Sequence, residues 1–241
     1  MKKKINGLID FHAHILPEVD HGCKNLTESI KLIERAKEIG ISTIVATSHF
    51  YYHLNDIDDF LERRQRAYDM VTLALEKTNF ADMKIVPAAE VALEPDMIDN
   101  IDPDKFRKLC ISGTDYMLLE MPLIDSAWSN RVLNTLYEVE SNYGIVPIIA
   151  HIERYGDSHS RQLISKSYIA QINADLFSTF SGRRKFFSLY NENAIHVIGS
   201  DIHDLTDRNY DNFEKLVNKL PDAILDKMNR NALTFLNNGT I

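Results

Sequence analysis

Cysteine is scarce: Cys23 and Cys110 are the only two in 241 residues, too few for a disulfide framework to organise a chain of this size. Neither is followed by arginine six positions later, so the Cys-x5-Arg loop of a cysteine-nucleophile phosphatase is absent and any phosphatase chemistry must come from other groups. Nine glycines and seven prolines exclude a fibrous or low-complexity chain. No fixed-period repeat or Pro/Gly/Ser-rich linker divides the sequence. Positive charge is in deficit, with 27 Lys+Arg against 35 Asp+Glu for a net charge of −8, which disfavours general binding to nucleic acid or anionic membranes. Long apolar runs are also missing, since stretches such as 146–150 fall far short of the roughly 18 residues of a membrane span. Lys2 to Lys4 resemble the start of a signal peptide, but Asp10, His12 and His14 interrupt the apolar segment that would have to follow. The chain therefore reads as cytoplasmic, with no stable membrane insertion; its oligomeric state is not readable from sequence.

What is present is enough for one large core. The chain is 44% hydrophobic and 26% charged, and its length suits an α/β barrel folded as one domain over residues 1–241. Short β-branched and apolar runs occur at 7–11, 42–47, 84–89, 115–119, 145–150, 168–172 and 195–199, and the segments between them read mostly as helix. Asn25 with Glu28 suggests a capping box, and Ile30, Ile33, Ala36 and Ile39 with Gly40 give an amphipathic helix and its stop. Further helices are predicted over 56–77, 96–109, 126–143, 158–166, 177–193, 207–220 and 222–236. Alternating strands and helices imply a mainly parallel sheet, either closed as a barrel or open and doubly wound, with catalytic groups at the C-terminal ends of the strands in both cases.

The residues at those strand ends are His12 and His14, His49, Glu90, Glu120, His151, and Asp201 with His203. Six of the seven predicted strands thus finish in a side chain that can bind metal, and the remaining one finishes at Asn173, a weaker oxygen donor. His12-Ala13-His14 and Asp201-Ile202-His203 each place two donors on one side of an extended segment. A single histidine is as readily a satisfied core or surface residue; repetition at successive strand ends is what favours ligation. Glu90 and Glu120 follow apolar strands, where an unpaired carboxylate is costly, so each calls for a salt bridge or a cation. Mixed imidazole and carboxylate donors without a thiolate cluster favour manganese, iron or zinc in a two- or three-metal hydrolytic site. Arg154 and Arg208 lie just beyond ligands, and an arginine fork suits phosphate oxygens. Phe50, Tyr51, Tyr52 and His53 offer an aromatic wall, at least two of them as ordinary packing, and Cys23 reads as a small buried residue.

With these motifs in order, Asp10-Phe11-His12-Ala13-His14, Asp20-His21-Gly22, Thr47-Ser48-His49, Ala89-Glu90, Leu119-Glu120, His151-Ile152-Glu153-Arg154 and Ser200-Asp201-Ile202-His203, the chain resembles the PHP (polymerase and histidinol phosphatase) superfamily. Within it, the chain resembles the bacterial manganese-dependent protein tyrosine phosphatases of capsule and exopolysaccharide synthesis. The resemblance implies a distorted (β/α)7 TIM-like barrel holding three metals. It places His12, His14, Glu90, Glu120, His151 and Asp201 around two of them, and His49, His203 and His21 around the third. His21 stands where the family commonly has aspartate, and a proline-rich continuation usual after the second arginine is missing after Arg208. The implied reaction is attack of a metal-bridged hydroxide on phosphotyrosine, with Arg154 and Arg208 on the phosphoryl oxygens and His203 or Asp204 as possible help to the leaving group. The implied substrate is a bacterial tyrosine kinase tail. The competing expectations are a histidinol-phosphate-type phosphatase, which pocket shape separates from the tyrosine phosphatase, and a metal-retaining but inactive partner of the kinase, which turnover on a phosphotyrosine peptide would reject.

Overall fold

The computed structural model describes residues 7–241 apart from position 96 and the side chain at 125; Lys2 to Lys4 lie outside the described residues. Seven parallel strands, β1 (Leu8–Ala13), β2 (Ile41–Phe50), β3 (Lys84–Ala92), β4 (Tyr116–Glu120), β5 (Val146–Ile149), β6 (Ile169–Asn173) and β7 (Val197–Gly199), pair in sequence order. The sheet then returns on itself. The Asp201 N–H donates to His12 O at 2.7 Å and the His14 N–H donates to Ile202 O at 2.9 Å, so the chain beyond β7 meets β1 and the barrel is nearly closed. The TIM-like expectation holds, and the open doubly wound alternative does not.

Helices α1 (Leu26–Ile39), α2 (Ile57–Leu75), α3 (Met97–Asn100), α4 (Pro103–Arg107), α5 (Asn130–Tyr143), α6 (Asp157–Ser165), α7 (Phe180–Asn191), α8 (Asn209–Lys219) and α9 (Asp222–Leu236) connect and cover the strands. At α1 the Asn25 side chain accepts from the Glu28 N–H, and Gly40 ends the helix in the left-handed region at φ 102°. The Glu28 carboxylate reaches the N–H of Lys24, one residue before the capping position. The helix predicted over 96–109 is two short pieces, because Asp102 caps a new start with Pro103 in its first turn. The one predicted over 126–143 begins at Asn130, capped by Ser129 after a 3-10 turn. The one predicted over 177–193 begins at Phe180, capped by Thr179.

Inward-facing residues form layers, as parallel barrels require. The lower layers are apolar: Val45, Val86, Leu118, Ile148 and Val197 join Ile9 and Phe11 in one buried cluster. Ala232 and Phe235 of α9 pack onto it, with the Phe235 ring 6.2 Å from Phe11 and 4.8 Å from Tyr116. Two or four residues further along, the columns reach Thr47 and His49 in β2, Glu90 in β3 and Glu120 in β4, and Ile169 of β6 leads to Gln171 and Asn173, so polarity begins toward the C-terminal ends of the strands. Strand β1 needs a local irregularity to comply, since Phe11 belongs to the apolar plug while His12 belongs to the polar end. Its pairing with β2 shifts between Asp10 and Ala13, and such a shift re-aims side chains.

Candidate metal centre and its supports

Two imidazoles from β1 begin the site. The Nδ1–H of His12 has Gln171 Oε1 as its partner at 3.2 Å, and that of His14 has Asp20 Oδ2 at 2.8 Å. With those protons outward, both Nε2 lone pairs face inward, only 3.0 Å apart. Two lone pairs at that separation repel unless something positive lies between them. Glu90 Oε2 is 3.1 Å from the first and 3.3 Å from the second, and Asp201 Oδ1 is 3.4 and 3.3 Å away. A tetrahedron whose corners lie about 2.0–2.1 Å from its centre has edges of about 3.3–3.4 Å, the size of a zinc-type coordination shell. Five edges of this donor set fall between 3.0 and 3.4 Å, so the arrangement fits a divalent cation.

The neighbouring donors extend the cluster. His14, His49 and His203 form a second group whose ligand atoms lie within 4.8 Å of one another, and His49, Glu90 and Glu120 form a third. His151 Nε2 is 2.9 Å from Glu90 Oε1 and 3.3 Å from Glu120 Oε1, which places it between the two glutamates. The buried Nδ1 of His49 and Nδ1 of His151 have no hydrogen-bond partner, although His49 Nδ1 is 3.0 Å from Glu90 Oε2. His21 is exposed and belongs to none of the three groups. Its ring nevertheless stacks near His49 and His203, at centroid distances of 4.6 and 4.8 Å. His151 and Asp201 both have left-handed backbones, at φ 30° and 55°, a strain that costs on the order of 1–3 kcal/mol per residue and gathers at functional sites.

Burial works against every charge here, and the neighbours decide the outcome. It raises Glu90 and Asp201, yet His12 and His14 hold both carboxylates well below the usual range. It lowers His14 and His151, yet Asp20, Asp201 and Glu90 hold the first well above its ordinary value, while Glu120 and Glu90 lift the second to about 10. His49, desolvated and beside charged His14, falls to about 3. Without a cation, protons on His14 and His151 supply the positive charge that the carboxylates demand, and a bound cation would take their place and leave the ring nitrogens free as donors.

A further layer of residues orients these groups, and most of it lay outside the sequence expectations. Asp20 holds His14 Nδ1 and also accepts from the His49 N–H at 2.7 Å. Gln171 Oε1 accepts from the His151 N–H at 2.7 Å while facing His12; its amide donates to Asn173 Oδ1 at 2.7 Å, and Asn173 donates to Asp201 Oδ2 at 2.9 Å. Strand β6, which brings no strong ligand, therefore ties three candidate ligands together. Asp10, pushed up to about 6 by its burial and stabilised as an anion by Ser200, accepts from the Ser200 N–H and hydroxyl. Gly199 has no room for a side chain: a Cβ would lie 2.4 Å from His12 Cβ and 2.8 Å from Gln171 Nε2. Such supports position metal ligands and raise their basicity. Their sequence signal was a polar residue inside an otherwise apolar strand.

Of the two arginines, Arg154 donates to Asp201 Oδ2 at 2.6 Å with its side chain 40% exposed. Arg208 lies at the start of α8, on the same rim and exposed, with no side-chain hydrogen bond to the cluster among the described residues. Asp204 is engaged in its own turn, accepting from the Thr206 N–H and hydroxyl and from the Asp207 N–H. Cys23 is buried and its thiol is pushed up chiefly by desolvation. The aromatic run divides: Phe50 is buried against Phe60 and Tyr52 packs on the core, while Tyr51 and His53 line an open groove.

The family model described as capsular polysaccharide synthesis, CpsB/CapC, matches residues 8–237. The chain is 28% identical to the tyrosine-protein phosphatase CpsB of Streptococcus agalactiae over 214 residues, covering 82% of this chain and 84% of that protein. It is 29% identical to the tyrosine-protein phosphatase YwqE of Bacillus subtilis over 218 residues, covering 87% and 82%. In structure it is similar to a solved chain described with YwqE of Bacillus subtilis and CpsB of Streptococcus pneumoniae as metal-dependent tyrosine phosphatases. That match has a TM-score of 0.80 at 24% identity and covers 97% of this chain and 96% of the other. A phosphotriesterase homology protein from Escherichia coli shares the fold more distantly, with a TM-score of 0.57 at 10% identity over 96% of this chain and 99% of that one. The chain belongs to the CpsB/CapC family of capsular polysaccharide synthesis proteins.

Proposed function

We propose that residues 1–241 act as one PHP-type, metal-dependent protein tyrosine phosphatase domain. In this reading His12, His14, Glu90, Glu120, His151 and Asp201 hold two divalent ions, and His49, His203 and His21 serve a third. The observation that carries the reading is the set of donors from β1, β3 and the end of β7 at separations of 3.0 to 3.4 Å, beside an arginine. Manganese is the proposed resident ion, with iron and zinc as alternatives that the same donors accept. When bound, such ions activate water at neutral pH and offset charge on phosphoryl oxygens.

The chain's own residues then have separable tasks. Arg154 uses one donor on Asp201 and offers the rest of its half-exposed guanidinium to the phosphate, with Arg208, exposed at the start of α8, as the second arginine. His203 closes the rim, its Nδ1 3.0 Å from the Asp201 carbonyl oxygen, and its other nitrogen remains for a ligand or the leaving oxygen. Asp204 is assigned no acid role because its carboxylate caps a turn. A tyrosinate leaves readily enough, with a phenol pKa of about 10, that a strong acid is unnecessary. The open groove beside Tyr51 suits a protein substrate better than an enclosed metabolite. The substrate proposed is a tyrosine-phosphorylated protein, a bacterial tyrosine kinase acting in capsule or exopolysaccharide synthesis, met in the cytoplasm. No helix among the described residues is long and apolar enough to cross a membrane.

The test is phosphate release from a phosphotyrosine peptide and from histidinol phosphate in parallel, with manganese, with chelator, and with His151→Ala. Chelator-sensitive release, far faster from the peptide and lost in the variant, is expected. Release only from histidinol phosphate would move the enzyme to small-molecule chemistry. No release from either with metal bound would favour a binding partner.

A further inference from the structure

The groove that begins at the metal-binding donors has its own chemistry. It measures about 460 Å³ and runs from Glu120 and Tyr51 outward between Leu93, Met121, Leu123 and Ile124. Glu120 is also one of the candidate ligands, and the Tyr51 ring stacks 5.2 Å from His49, so its inner end opens on the site where a phosphate would be held. At the outer end Leu123 and Ile124 are 53% and 69% exposed. Their loop is nonetheless anchored on both sides. The Met121 N–H donates to Tyr155 Oη at 2.9 Å, and Trp128 Nε1 donates to Pro122 O at 2.6 Å. Trp128 itself stacks on His159 at 4.1 Å and meets Tyr155 edge-on. Two apolar side chains are thus held out to water by a fixed wall, which has a solvation cost and calls for an apolar occupant.

The groove's charge narrows the occupant. Its charged lining is Glu94, paired with His53 at 2.8 Å, and Glu120 at the metal-binding end; among the described residues no lysine or arginine lines it. In phosphotyrosine the phosphate is para to the peptide attachment, so the ring must lie directly outside the metal-binding donors and the neighbouring residue one step further out. We propose that the inner end of this groove takes the tyrosyl ring of the substrate and that Leu123 and Ile124 take an apolar residue adjacent to it, so that the site selects phosphotyrosine with an apolar neighbour and rejects acidic flanks. The inference rests on the phosphatase reading and specifies its substrate class.

The test compares three substrates with the manganese-loaded protein: a phosphotyrosine peptide flanked by leucine, the same peptide flanked by aspartate, and phenyl phosphate, which carries the ring alone. The leucine peptide is expected to exceed the aspartate peptide in kcat/KM by about tenfold, most of it in KM, a gap of the size that burial of one aliphatic side chain allows. Ile124→Lys and Leu123→Lys alter exposed positions and should fold. Each should reduce or invert that preference through KM while leaving phenyl phosphate turnover unchanged. Equal kcat/KM for the two peptides in the wild type would overturn the inference and leave the phosphatase reading intact, as would lysine variants that slow all three substrates alike. Absence of turnover on all three substrates would overturn the phosphatase reading and the inference with it.

Discussion

The two ends of the barrel are built from the same strands and obey opposite rules. At the lower end Phe11, Val45, Leu118, Ile148 and Phe235 are fully buried among apolar neighbours, where removal from water is itself the stabilising force. Toward and just beyond the C-terminal ends of the strands, His12, His14, Glu90 and His151 are equally buried, and there burial penalises the charged forms. The contrast shows why such a barrel separates stability from chemistry: the lower layers supply free energy, and the upper layers hold closely spaced donors that need a cation to be stable.

Substitutions at each end sharpen the comparison. Glu90→Gln removes the carboxylate shared by the donor groups, and turnover on a phosphotyrosine peptide should fall by about a thousandfold or more, roughly 4 kcal/mol of transition-state stabilisation. The metal-free protein should also lose stability, because the protonated His14 and His151 are left short of a carboxylate partner. Phe235→Ala should instead spare turnover per folded molecule, which stays near wild type, while lowering the free energy of unfolding by about 3–5 kcal/mol in denaturant titrations. A large activity loss at constant fold from Phe235→Ala would break the separation. Asp20→Asn sits between the regions in kind, acting through His14 and the His49 backbone. It should weaken metal affinity by about 10- to 100-fold, read by competition with a chelating dye. Asn25→Ala, which removes the cap of α1 and touches no donor, should cost about 1 kcal/mol of stability and little in metal affinity.

How far the sequence revealed these ends follows from the same physics. Each of the seven apolar runs overlaps a strand, and the donors at their ends do converge, because in a parallel barrel the C-terminal ends of all strands share one face. The signal is local and repeated, so it survives uncertainty about any single histidine. The supports were less legible because their function lies in partners distant along the chain. Gln171 is opaque until folding brings it to His12, 159 positions away, and Asp20 until it meets His49, 29 positions away. The pairing shift in β1 that carries His12 to the polar level leaves no periodic trace. His21, expected among the ligands, is exposed and stacks beside His49 and His203. Helix ends were misplaced where a new capping residue, Asp102, Ser129 or Thr179, restarted the chain.

The central claim is that the upper end of the barrel is organised around divalent cations. The most direct measurement is the metal content of the purified protein after loading with manganese and exhaustive dialysis, for the wild type and for Glu90→Gln. The account predicts two or more ions per wild-type chain and loss of at least one in the variant. Less than one ion per wild-type chain, or identical contents in the two proteins, would contradict it.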